Sequence, residues 1–249
     1  MKISVITAVY NAEETVAEAI ESVLGQTHPD VELIVIDGGS TDGTIELLER
    51  YRDRIDVLVS EPDGGIYDAL NKGIARASGD VIGFLHADDL YAGSEVVAQI
   101  AAAFAGTDAD AVYGDLVYVS KAQPDRVIRY WQAGDFTIDK LKHGWMPPHP
   151  TFYLRRSHYE QQGGFDTAFR IAADYDCMLR MLGQPGFGCR YIPQVLVRMR
   201  VGGESNRSLA NIIRKSREDY RALKQNGIGG VGALLWKNMS KLPQFLRRN

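Results

Sequence analysis

The feature that most restricts this chain is an alternation in its first ninety residues between short apolar runs and stretches of helical period. Lys2–Val9 (KISVITAV), Val31–Ile36 (VELIVI), Asp56–Ser60 and Val81–Leu85 are short and rich in β-branched residues, and read as strands. Between them lie helical patterns. Over Ala12–Leu24, Val16, Ile20, Val23 and Leu24 share one face and Glu13, Glu14, Glu18 and Glu21 the other, with Asn11 placed to cap the start. Helices are also expected over Gly43–Tyr51, capped by Thr41 or Asp42, over Ile66–Ala77, and over Ser94–Phe104. Alternation at this spacing calls for right-handed crossovers and a largely parallel sheet with helices on both faces. Ligands in such sheets bind beyond the carboxyl ends of the strands.

Three of these strands end in polar residues. Tyr10-Asn11 follows the first, Asp37-Gly38-Gly39-Ser40 the second, and His86-Ala87-Asp88-Asp89 the fourth. Adjacent carboxylates repel unless they face open solvent or a cation. A buried strand running into such a pair favours the cation. Mg²⁺ or Mn²⁺ prefers hard oxygens from few carboxylates, with substrate phosphates completing the shell. The expected chemistry is therefore a metal-assisted reaction of a nucleoside diphosphate: an acid ending strand two accepts from base or ribose, and the Asp88-Asp89 pair serves ribose and metal. Transfer of a sugar away from the diphosphate fits, because it needs no phosphate-loop lysine. One further carboxylate would deprotonate the acceptor hydroxyl.

Beyond residue 105 the texture changes. Ala111–Tyr113, Leu116–Ser120 and Val127–Trp131 read as strands separated by turns, so a mixed or antiparallel region is expected. Gly144–Thr151 (GWMPPHPT) is a proline-stiffened loop presenting His149, with packing and ligand contact both open. Thr151–Leu154 and Arg190–Val201 read as strands, and Gly202–Ser205 as a loop. Ile171–Leu182 reads as a helix carrying Asp174 and Asp176. Two positions apart on a helix, these acids face different directions, so Asp176 is expected in solvent or paired with Arg180. Helices are expected over 206–225 and 227–248.

The chain of 249 residues is 45% hydrophobic and 24% charged, enough for one sizeable core. Its charge is uneven. Residues 205–249 hold ten Lys/Arg against Glu218 and Asp219, a local +8, leaving −12 for the rest. An acidic body argues against nucleic acid, while a basic end suits an anionic surface. In that end, Leu234, Leu235, Trp236, Met239, Leu242, Phe245 and Leu246 could form an apolar face, with Lys237, Lys241, Arg247 and Arg248 towards water, as in a helix lying on a membrane. The alternative is a helix packed on the domain. No window reaches the ~18 uncharged apolar residues of a span, and Met1-Lys2 leads straight into a strand with no signal-peptide pattern. Cys177 and Cys189 have no metal-type spacing. A cytoplasmic protein, peripheral at the inner membrane face through its tail, is the expectation. His28, His143 and His158 read as surface residues.

In order and spacing, SVITAVYNAEETVAEAIESVLGQ, VIDGGSTDGT, GDVIGFLHADDLY and AADYDCMLRM resemble the family 2 glycosyltransferases of GT-A fold. EPDGGIYDALNKGIARASGD and WMPPHPTFYLRR resemble the bacterial branch that builds O-antigen and exopolysaccharide units. The likeness covers about residues 2–200. It implies an α/β, Rossmann-like mixed sheet: a GT-A domain over 1–204, with a nucleotide-binding half (about 1–115) and an acceptor half (116–204), then a basic amphipathic helical tail over 205–249. It places Ala8, Tyr10 and Asp37 at the nucleobase, Asn71 and Lys72 near the diphosphate, Asp88 at the ribose and Asp89 on Mn²⁺ or Mg²⁺. Asp174 matches the general base of inverting members. It implies a nucleotide-sugar donor, a UDP-sugar first, and a glycan or polyprenyl-diphosphate-linked acceptor. Two departures stand out. Gly38 occupies the place of a second acid after strand two, and Ala173 and His86 replace acids or amides next to the matched motifs. A sugar nucleotidyltransferase would want a glycine-rich basic loop after strand one, which Ala8–Glu14 lacks. A non-catalytic nucleotide-sugar binding module remains the other alternative. An oxidoreductase is disfavoured by the missing GxGxxG.

Overall fold

The computed structural model describes residues 1–202 and 209–239. Its nine-stranded sheet has the order β3-β2-β1-β4-β8-β6-β9-β5, with β7 added on β6. The strands are β1 (Ile3–Val9), β2 (Val31–Asp37), β3 (Val57–Ser60), β4 (Val81–Phe84), β5 (Asp89–Tyr91), β6 (Ala111–Val119), β7 (Val127–Trp131), β8 (Tyr153–Arg155) and β9 (Cys189–Arg200). β1 pairs in parallel with β2 and β4, and β2 with β3. β8 runs antiparallel between β4 and β6. β1 is buried along its whole length, because helices cover both sheet faces.

On one face lie α1 (Val16–Leu24), α2 (Thr44–Glu49) and α4 (Val96–Phe104), whose Val16, Ile20, Leu48 and Val97 join Val5, Val9 and Val35. On the other lie α3 (Ile66–Ile74), α5 (Ile138–Lys142), α6 (Arg156–Gln162) and α7 (Ala173–Leu182), which meet Ile6, Ile34 and Ile82. The period-2 alternation along β1 divides Val5 from Ile6 between the two cores. α3 lies so close to β1 that a Cβ at Gly73 would sit 2.4 Å from Ile6 Cγ2.

The structure corrects several expectations. α1 begins at Val16, four residues after its expected start, because Asn11 takes a left-handed φ of +46° and does not cap it. Instead, Asn11 N–H donates to Ser40 Oγ and its side-chain oxygen accepts from Thr41 N–H, tying the β1 loop to the β2 loop. The strand pair expected over 111–120 is one strand. Gly114-Asp115 looked like a turn, but it is a register shift in β6 against β9. Asp115 is buried there because Tyr130 and Tyr191 hydroxyls and Ala133 N–H all donate to it. Asp89 does not end β4: it opens β5, at the far edge of the sheet against β9. His158 is no free surface residue, since its Nε2 lies 2.8 Å from Asp110 Oδ1.

The C-terminal segment also departs from expectation. α8 (Leu209–Gln225) and α9 (Val231–Met239) pack on the α7 side, with Ala222, Leu223 and Ala233 in the core. Lys237, expected to face water, is buried over the Tyr175 ring with Asp219 Oδ1 at 2.9 Å. Leu235, Trp236 and Met239 point outward instead. A buried cation between a π face and a carboxylate outweighs the simple amphipathic pattern. Gly203–Ser205, Lys241, Leu242, Phe245, Leu246, Arg247 and Arg248 lie outside the described residues. No helix among the described residues is long and apolar enough to cross a membrane.

Candidate active site

The carboxyl ends of β1 and β2 form one wall. Ala8 is buried within β1, and Tyr10, just past its end, leaves 64% of its surface exposed. An aromatic ring uncovered at a strand end is a platform for a flat ligand. Asp37 is fully buried. Its Oδ2 accepts from the Gly39 and Ser40 N–H groups and from the Ser60 hydroxyl, and Oδ1 from the Ser40 hydroxyl. Four donors from its own loops leave Asp37 as the brace of that wall.

Asp88 immediately precedes β5, and Asp89 is its first residue. Asp88 is half-buried, whereas Asp89 is 1% exposed. Burial first, and the neighbouring Asp88 second, push the Asp89 carboxyl well above the usual carboxylate range, against the pull of Arg200. Arg200 N–H donates to Asp89 Oδ1 at 3.3 Å and its Nη1 to the Asp88 carbonyl at 2.9 Å. The same guanidinium pairs with Glu18 on α1. Asp89 Oδ2 is buried with no hydrogen-bond partner among the described residues. An orphaned carboxylate oxygen beside a second carboxylate is a donor set that fits a hard divalent cation. No group of three His, Cys, Asp or Glu among the described residues has metal-holding geometry, so phosphate oxygens would have to complete the shell.

Asp174 stands in the first turn of α7. Its side chain keeps 22% of its surface exposed, enough for a hydroxyl to reach it. Tyr67 on α3 donates to the Ile171 carbonyl at 2.7 Å and lies 3.2 Å from Asp174 Oδ1. His149 Nδ1 is 3.5 Å from Asp174 Oδ2, and His149 Nε2 is 3.2 Å from His86 Nε2. Burial lowers both imidazoles, His149 to about 4, so both are neutral near neutral pH. A neutral imidazole has one N–H. One shared proton satisfies the His86–His149 contact, while the 3.5 Å approach of His149 to Asp174 is electrostatic. Burial pushes the Asp174 carboxyl up, while His149, Lys215 and Lys237 pull it further down, and it stays ionised below the usual range. Asp174, His149 and His86 thus form a continuous bridge from α7 to the loop that carries Asp88 and Asp89.

Other expected residues are engaged elsewhere. The Asn71 amide clamps Phe165, donating to its carbonyl and accepting from its N–H, both at 2.8 Å. Lys72 pairs with Glu61 at 2.9 Å and Asp68 at 3.6 Å. Asp176 faces away from Asp174 as expected but is buried, accepting from Asn226 at 2.8 Å with Arg180 3.9 Å away. Two residues that the sequence does not reveal support α7. Tyr67 could have been suspected only as an aromatic beside an acidic helix. Glu218, on α8, accepts from the Arg170, Ile171 and Ala172 N–H groups at 3.2, 2.8 and 3.0 Å and so holds the entry to α7.

Comparison with known proteins gives a consistent picture. The family described as Glycosyl transferase family 2 matches residues 4–172. A PGL/p-HBAD biosynthesis glycosyltransferase of Mycobacterium bovis (strain BCG / Pasteur 1173P2) is 30% identical over 209 residues, 82% of this chain and 78% of that protein. A putative teichuronic acid biosynthesis glycosyltransferase, TuaG, of Bacillus subtilis (strain 168) is 39% identical over 101 residues, 39% of this chain and 40% of its own. Among solved structures, S. aureus TarS 1–349 in complex with UDP-GlcNAc superposes with a TM-score of 0.73 at 20% identity, covering 92% of this chain and 66% of that one. The mannosyltransferase PcManGT from Pyrobaculum calidifontis, in complex with GDP-Man and Mn²⁺, gives 0.68 at 20% identity, covering 98% and 73%. The chain spans 39% of the longer TarS structure. At these identities the structural likenesses bear on the fold.

Proposed function

This chain belongs to glycosyl transferase family 2, and on that premise we propose that it is an inverting, metal-dependent transferase of surface-polysaccharide assembly. In this reading it moves a sugar from a nucleotide diphosphate to a hydroxyl of a glycan or a polyprenyl-diphosphate-linked acceptor. That it is a glycosyltransferase of GT-A fold follows from its relatives. TarS is solved with UDP-GlcNAc and PcManGT with GDP-Man and Mn²⁺, which supports a nucleotide-sugar donor here, a UDP-sugar first, and a divalent ion.

The observation that carries the reading is the Asp174–His149–His86 chain of contacts, because His86 begins the short segment that holds Asp88 and Asp89. Tyr10 and Ala8 would line the base, Asp37 would brace that pocket, and Asp88 would meet the ribose. Asp89, with Asp88 beside it, would hold a divalent ion, which would supply positive charge to the departing diphosphate. Asp174 takes the acceptor proton while the oxygen bonds C1 and the C1–phosphate bond breaks, on opposite faces of the sugar. His149 beside Oδ2 and the Tyr67 hydroxyl on Oδ1 orient Asp174.

The test is Asp174→Asn. It removes the base but keeps shape, and should cost ~10²–10⁴-fold in kcat, the range for a general base, while nucleotide affinity stays within threefold. Wild-type turnover by this variant would remove Asp174 from the role.

A further inference from the structure

The space beside Gly38 is taken by a carboxylate from the loop after β3. At Gly38, a Cβ would lie 2.5 Å from Asp63 Oδ2, 2.9 Å from its Cγ and 3.1 Å from Oδ1. No side chain fits at 38 while Asp63 stays in place. The Asp63 carboxylate, from the loop after β3, therefore fills the volume that a residue 38 side chain would take. Three contacts fix this geometry. Gly38 N–H donates to the Val9 carbonyl at 2.9 Å, which sets Gly38 beside the end of β1, immediately before Tyr10. Gly39 follows with φ of +80°, and a Cβ there would lie 3.3 Å from Pro62, so the two loops are in contact. Asp63 Oδ1 accepts from Gly65 N–H at 2.8 Å, which orients the carboxylate. Its Oδ2 accepts no hydrogen bond from the described residues.

The four donors that saturate Asp37 sharpen the point. The acid that ends β2 is fully buried under donors from its own loops, whereas half-buried Asp63 keeps Oδ2 free of hydrogen bonds from the described residues. Resting on the donor reading above, we propose that Asp63 is the residue that selects the nucleobase, accepting the imino N–H of a uracil-type or guanine-type base laid against Tyr10. The chemistry is directional. Uracil and thymine present N3–H and guanine N1–H to a carboxylate, whereas cytosine presents a lone pair at N3 and is repelled. A charge-assisted bond of this kind changes affinity by ~10- to 100-fold.

Titration calorimetry of UDP, GDP and CDP with Mn²⁺ tests this. The unaltered protein should bind UDP or GDP at least tenfold more tightly than CDP. Asp63→Ala should lose ~10- to 100-fold for the preferred nucleotide and change CDP by less than threefold. Asp63→Asn, whose amide offers both a donor and an acceptor, should bring UDP and CDP within a few-fold of each other. Gly38→Asp alone should weaken binding, because two carboxylates would compete for one volume. Gly38→Asp combined with Asp63→Gly should restore most of the affinity by returning the acid to β2. Thermal unfolding of each variant separates lost recognition from lost fold. Unchanged UDP and CDP affinities in a folded Asp63→Ala variant overturn the assignment and leave the transferase reading intact. Absence of nucleotide binding in the unaltered protein overturns both.

Discussion

Glu218 offers the sharpest test of how the C-terminal helices serve the cleft. Its carboxylate accepts three successive N–H groups at 2.8–3.2 Å at the entry to α7, where the helix also carries partial positive charge. A hydrogen bond to a charged group contributes about 1.5–3 kcal/mol net, and an anion at a helix start adds about 0.3–1 kcal/mol. The three bonds share one half-buried acceptor, and the Arg170 N–H can turn to water, so they do not sum. Glu218→Ala should therefore cost about 2–4 kcal/mol, and Glu218→Gln, which keeps an acceptor oxygen but no charge, about 1 kcal/mol. At about 2–4 °C per kcal/mol for a chain of this size, the alanine variant should melt roughly 5–15 °C lower. Urea and thermal unfolding measure the cost, and initial rates at saturating donor measure its consequence. Asp174 rides on the first turn of α7, so kcat should fall while nucleotide affinity holds. An alanine variant within about 0.5 kcal/mol of wild type, the scatter of ordinary surface substitutions, would refute the argument.

Two further predictions follow from neighbouring features. His149 helps to keep the Asp174 carboxyl ionised below its usual range, and the base works in its ionised form. Without that neighbour the carboxyl titrates higher, so His149→Phe should move the acidic limb of the kcat–pH profile to higher pH and lower kcat by ~10- to 100-fold, as a displaced catalytic group does. His149→Asn, which keeps an N–H, should largely restore the limb, and superimposable profiles for all three proteins would dismiss His149 as a positioning residue. On α9, Leu235, Trp236 and Met239 are exposed, and α8 exposes Arg214, Arg217 and Lys224, a combination suited to an anionic bilayer. Trp236→Ala should then weaken co-sedimentation with phosphatidylglycerol vesicles about fivefold, at roughly 1 kcal/mol for a partly inserted ring. Equal sedimentation of both proteins, or none by wild type, would end the membrane reading.

The parallel half was legible because its physics is local. Buried parallel strands need continuous β-branched runs, and β1, β2 and β4 have them. Asp174 and Asp176 were separable from helical geometry alone, and they do face different partners. What escaped notice depends on contacts distant in sequence. Gly114-Asp115 has turn composition, and only Tyr130, Tyr191 and Ala133 make it a strand interior. Asn71 and Lys72 carry ligand-like chemistry, yet Phe165 and Glu61 take it up. The α9 pattern placed Lys237 in water, because periodicity cannot foresee an aromatic face and a carboxylate waiting on other helices.

The dependence of α7 on α8 and α9 bears on how the chain comes into being. Synthesis proceeds from the amino end, and the crossover units of the nucleotide half can settle as they emerge. The helix bearing Asp174 cannot: the acid that secures its first turn and the lysine seated beneath Tyr175 are among the last described residues to leave the ribosome. A nascent or prematurely terminated chain would hold the parallel sheet without a settled α7, so the helix that carries Asp174 is completed late.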